Sequence, residues 1–241
     1  MSTMPPEKLE KNILSTYFSL RMGIVVEALL LPLIVSIGLA WLGRGGLQNS
    51  ISAYYGAGDG AMRNWFVAIL CSVGAFLYLY KGFSDRENIL LNCAGISAVI
   101  VAMRPCDCWN GGTNVIHNVS AVAFFVFMAS VCWFCANETV TLLPAKDQGM
   151  YRRTYKTIGS LLLLSPATAL VFSFVLQSLE QYKFFVEAFG VWTFGAYWIV
   201  KSRELSITCA EQDAAHGRLG NSHRRGLVPA PEYYAENNPP R

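Results

Sequence analysis

The chain has 241 residues, 53% of them hydrophobic and only 15% charged, with a formal net charge of +3 and a mean hydropathy of +0.34. Soluble domains usually carry about 25% charged residues, so this composition leaves too few charges to cover a water-facing surface and excludes an ordinary soluble domain. The small basic excess also argues against nucleic acid as a partner.

In chain order, residues 5–20 place Leu9, Ile13 and Tyr17, with Leu14 and Phe18, at helical spacing against Glu7, Lys8, Glu10 and Lys11. That pattern predicts a short amphipathic helix lying on the membrane surface. A cleaved signal peptide ending near Gly38-Leu39-Ala40 is the competing reading; the length of charged chain before the apolar run stands against it. Apolar runs over 22–43, 63–81, 88–104, 115–136, 157–178 and 184–201 approach the ~20 residues a helix needs to cross ~30 Å of hydrocarbon. The expected fold is therefore all-α, an integral membrane bundle of about six transmembrane helices with an N-terminal amphipathic interfacial helix. Its organisation reads as an interfacial segment over 1–21, a six-helix domain over 22–203, and a polar tail over 204–241, disordered or loosely packed.

Within the runs, Pro32 needs a neighbouring helix to cover its freed carbonyl. The small residues of the third run suit close helix contact. Trp41, Trp65, Trp109, Trp133 and Trp198 fall near predicted span ends, as in an aromatic belt. With the N-terminus inside, the inner segments hold Lys8, Lys11, Arg21, Lys81, Arg86, Lys146, Arg152, Arg153, Lys156, Lys201 and Arg203, whereas the outer ones hold only Arg44, Arg63, Arg104 and Lys183. By the positive-inside rule both termini are cytoplasmic.

The polar residues hardest to assign gather on the outer side. The first outer loop supplies Ser50, Ser52, Tyr54, Tyr55, Asp59 and Arg63; the second Arg104, Cys106, Asp107, Cys108 and His117; the third Glu180, with Glu187 about one turn inside the last span. Tyr54, Tyr55, Asp59, Arg63, Arg104, His117 and Glu187 are the candidates for an outer ligand pocket, because acidic and basic groups near an interface tend to pair and often mark a site. The plainer alternative has Arg63 and Arg104 reaching headgroups and Glu187 pairing for structure. Glu27, inside the first span, reads as a salt-bridge partner more than as a proton relay. Hydroxyls at Ser97, Ser120, Ser160, Ser165, Thr168 and Ser173 leave a lined pore open as a reading.

Cys106 and Cys108 with His117 have the ligand types of a zinc or copper site. The Cys-x-Cys spacing and single histidine are weak support, and a disulfide competes. Cys132 and Cys135 read as core packing. A catalytic set of Ser52, His117 and Glu187 can be drawn for a lipid-headgroup enzyme, but no nucleophile-elbow motif accompanies it. No cofactor is expected.

The runs SISAYYG, RNWFVAILCSVGAFLYLYKGF, NCAGI and EAFGVWTFGAYWIVK resemble a group of uncharacterised bacterial inner-membrane proteins with six spans. The layout is more loosely similar to the DRAM-like six-span family, tied to membrane and lipid homeostasis. The resemblance covers residues 20–203 and implies the six-span unit without an activity. The expected role is thus a multi-pass inner-membrane sensor, scaffold or accessory subunit, with the bilayer and a membrane-protein partner or second copy as its company. A membrane enzyme and a small transporter or channel are the alternatives.

Overall fold

The computed structural model describes residues 6–106, 114–175 and 182–215, and these contain helices and turns without a strand. The long helices are α1 (Pro6–Trp41), α2 (Arg63–Leu79), α3 (Asp85–Met103), α4 (Val115–Ser130), α5 (Ala145–Val175) and α6 (Tyr182–Thr208), followed by the short α7 (Ala210–Ala215). A π-helical stretch, Val131–Cys135, and a single turn, Asn137–Val140, extend α4. Three stretches are long and apolar enough to cross a membrane: Lys8–Trp41, Asp85–Met103 and Val115–Val140; Arg63–Leu79 is apolar but shorter.

Each long helix buries one face and exposes an apolar one. Ile24, Ala28, Leu31, Val35 and Leu39 of α1 are buried, while Val26, Leu30, Leu33 and Ile37 are exposed. Such outward apolar surface is the expected face toward lipid tails. The backbones of α2 and α3 come close together, where a Cβ on Gly95 would stand 2.6 Å from the Gly74 carbonyl oxygen, and one on Gly74 would stand 2.8 Å from that of Gly95. The small residues of the third apolar run therefore serve the close contact that their size predicts. Ser165, before Pro166, donates to the Val186 carbonyl (2.9 Å) across the α5–α6 contact. Near Pro32, the Trp192 indole donates to the Leu29 carbonyl (3.3 Å).

Side-chain contacts fix the two ends of the bundle. At one end Tyr17 packs edge-on to Tyr80, Arg21 pairs with Glu211, and Lys201 bonds Thr139. At the other Glu187 holds Ile51, Tyr54 packs on Phe184, and His117 binds the Arg104 carbonyl. The first is the basic end, carrying Lys81, Arg86, Lys146, Arg152, Arg153, Lys156, Lys201 and Arg203; the second is the loop end.

Two expectations are corrected. The interfacial segment and the first span form one continuous helix from Pro6, because no proline or glycine breaks the chain before Gly23. Residues 204–215 are not loose: α6 runs to Thr208, and α7 folds back after Cys209 adopts a left-handed φ of 51°. The remainder of the tail lies outside the described residues.

Candidate functional site

At the loop end, the predicted pocket residues are divided among three local contacts. Glu187 accepts a hydrogen bond from the Ile51 amide (2.7 Å), and the buried Tyr54 hydroxyl accepts one from the Gln48 amide (3.1 Å). Both fasten the 44–62 connection to its surroundings. Arg63 lies over the Tyr55 ring (4.9 Å to the centroid) and donates to the Tyr55 carbonyl (3.3 Å), beside the exposed Asp59, whose φ is 58°. His117 is buried, its Nδ1 2.6 Å from the Arg104 carbonyl oxygen, and Asn114 caps the start of its helix. An open groove of about 340 Å³ brings Tyr55 and Arg63 together with Asn64 and Met103, but neither His117 nor Glu187 lines it. Ser52 lies in the 3-10 turn Ser52–Tyr55.

Cys106 is buried and disulfide-bonded, so it offers no thiolate to a metal; Asp107, Cys108, Trp109 and Glu180 lie outside the described residues. Among the described residues no group of three or more His, Cys, Asp or Glu side chains is arranged to hold a metal ion. Of the hydroxyls suggested for a pore, three are turned to their own backbones, Ser97 donating to the Cys93 carbonyl, Ser160 to Lys156 and Thr168 to Leu164, with Ser160 on the exposed side, while Ser165 bonds across to Val186.

Glu187 yields a direct test. Without its carboxylate the Ile51 amide loses its acceptor, a cost of about 1–3 kcal/mol for a buried group. Glu187→Ala is expected to raise the rate of proteolysis within 44–62 roughly tenfold, whereas Glu187→Gln, which keeps an acceptor oxygen, leaves it near wild type. Equal cleavage of the two variants would show that the bond does not hold the loop.

The densest polar chemistry is at the basic end, where sequence reasoning did not place a site. Lys201 is 1% exposed and Glu204 0%. The Lys201 ammonium donates to Thr139 Oγ1 (2.6 Å) and stands 3.5 Å from Glu204 Oε2, which also accepts from the Tyr155 hydroxyl. The rings of Phe83 and Tyr155 cover that ammonium at 5.4 and 5.9 Å. Burial first, and then the charge of Glu204, raise the pKa of the Tyr155 phenol far above its usual value, so Tyr155 stays a donor.

Glu87 closes the cluster from α3. Ser84 caps that helix by accepting from the Glu87 amide (3.2 Å), and Glu87 accepts in turn from the Phe83 amide (2.7 Å), a variant of the capping box. The cap places its buried carboxylate in electrostatic reach of Lys201, Glu138 and Glu204. Cys132 of the π-helical stretch lies in the same field; such stretches recur at functional sites. Tyr80, Trp198 and Tyr197 stack edge-on behind them, with centroids 5.0 and 5.1 Å apart. On the far side Arg21 donates to Ser202 Oγ (2.9 Å) and pairs with Glu211 of α7.

Glu87 thus meets the Lys201 ammonium in company with two further carboxylates, Glu138 and Glu204, and the exposed Arg86 acts on the same cluster. Among the described residues, Glu204 Oε1, Glu138 Oε2 and the Trp198 indole N–H are buried without a hydrogen-bond partner. An uncompensated buried charge is costly, and polar groups at such depth are more often functional than ornamental. The signal that could have found this centre is helical spacing: Phe194, Tyr197, Trp198, Lys201, Leu205 and Thr208 share the buried face of α6. Counting Lys201 as a loop cation hid it.

Comparison of the chain with known protein families, curated proteins and solved structures finds no match.

Proposed function

We propose that this chain is a six-span inner-membrane protein with both termini in the cytoplasm, acting as a sensor or accessory subunit whose responsive element is the buried ionic centre around Lys201. The observation that carries this reading is the burial of Lys201 and Glu204 with Glu87 at the basic end, on α6 and α3, with Thr139 and Tyr155 as their partners. The positive-inside rule puts that end at the cytoplasm. Like charges sharing a low-dielectric site disfavour their joint ionisation, so proton uptake relieves the carboxylate excess and alters how α3, α5 and α6 meet. Arg21–Glu211 carries the change to α1 and α7. The group with SISxYY and YKG motifs fits the same layout: Tyr54 and Tyr80, from the two motifs, are buried at opposite ends of the bundle.

Hydrogen exchange of the full chain in lipid nanodiscs, corrected for intrinsic pH dependence, tests the reading. Burial pushes the Glu87 carboxyl above its usual range, so segments 80–87, 138–155 and 204–213 are expected to exchange faster at pH 6 than at pH 8, and Glu87→Gln at pH 8 to reproduce the low-pH pattern. Superimposable protection at both pH values would reduce the centre to a fixed brace.

A further inference from the structure

The second to fourth turns of α5 carry a groove that the ionic centre does not use. It has a volume of about 530 Å³ and is lined by Gly149, Met150, Arg153, Thr154, Thr157 and Ile158. We propose that it binds the phosphodiester headgroup of an anionic phospholipid in the cytoplasmic leaflet, a reading that takes α5 as a span.

Charge and shape both favour that occupant. Lys146, Arg152, Arg153 and Lys156 are exposed on α5 with only Asp147 among them to oppose, and none of the four forms a salt bridge among the described residues. Arg153 and Thr157 are one turn apart on one face, so a guanidinium and a hydroxyl meet the same phosphate. Gly149 leaves room beside them: a Cβ there would meet nothing within 4 Å.

The groove also points into the bilayer. Met150, Thr157, Leu164 and Val171 recur every seven residues, so they form one exposed stripe running from the groove down the helix. Met150, Leu164 and Val171 are 59%, 53% and 56% exposed, an apolar track for an acyl chain below a polar head. Trp133 marks the level of the interface beside it: its indole donates to the Lys156 carbonyl (3.3 Å) and its ring packs on Gly159. A soluble anion would use the charges and leave the stripe idle.

Native mass spectrometry of the full chain, titrated with phosphatidylglycerol or phosphatidylcholine of matched acyl chains, decides it. Phosphatidylglycerol is expected to be retained in preference, and Arg153→Gln to weaken its retention about fivefold. Arg86→Gln, an equal loss of charge at an exposed position of the same end, leaves it unchanged. Equal retention of the two lipids, or equal weakening by the two variants, would overturn the proposal. Full displacement of phosphatidylglycerol by excess inorganic phosphate would do the same, by assigning the groove to a free anion.

Discussion

Lys201→Met is expected to destabilise the folded chain by about 3–5 kcal/mol, the usual cost of removing one partner from a buried ion pair. The loss is not that of a contact alone. Methionine fills the space of the aliphatic stem, but the Glu204 carboxylate, 0% exposed, would be left with only the Tyr155 hydroxyl as its partner, and Thr139 would lose its donor. The informative variant is therefore the double one. Lys201→Met with Glu204→Gln removes both charges together, and most of the lost stability should return, because neutral isosteres of a buried pair are often close to neutral in effect. Equilibrium unfolding in mixed micelles measures all three chains. If the single variant unfolds like wild type, Lys201 is not held in an ionic centre; if the double variant is as weak as the single, the partner of Lys201 is not Glu204.

The second large effect is steric. Gly95→Ala would set a Cβ 2.6 Å from the Gly74 carbonyl oxygen and 3.3 Å from the Tyr78 amide nitrogen, backbone atoms that cannot rotate away. The α2–α3 contact must widen, at about 1–3 kcal/mol for alanine and more for valine. Gly149→Ala, on the open face of α5, should act in the opposite direction, since nothing lies within 4 Å and alanine favours a helix over glycine by about 0.8–1.0 kcal/mol. Opposite signs from one chemical change separate packing from propensity. Equal effects would mean that the two backbones do not meet at Gly95.

Much of the fold was legible because it rests on composition and period. The apolar runs at 63–81, 88–104 and 115–136 coincide with α2, α3 and α4 to within a few residues, and the small residues of NCAGI do bring two backbones together. Helix ends were less legible. The Ser84–Glu87 cap is readable as a motif, but the partners of Arg21 within α1, Ser202 and Glu211, lie 181 and 190 positions away. The site was the least legible, for a related reason. A charge at a span end reads as solvated, since sequence alone gives no depth. Lys201 and Glu204 are drawn under the surface by partners on other elements, Thr139 and Tyr155, whereas Glu87 is held by the Phe83 amide of its own helix cap. At the loop end Glu187 and His117 each bind a backbone atom of a nearby connection. Those acceptors and donors are invisible in a list of side chains.

The central claim, that the ionic centre lies at the cytoplasmic end of a six-span bundle, is tested most directly by the sidedness of its two ends. Gly46 and Lys146 are both exposed, one in the first connection of the loop end and one at the start of α5 in the basic end. Single cysteines placed there, in a chain without other accessible thiols, report to a membrane-impermeant maleimide in intact cells. Gly46→Cys should label at once and Lys146→Cys only after permeabilisation. Labelling of both from the same side would contradict the six-span topology and the cytoplasmic placement of Lys201 with it.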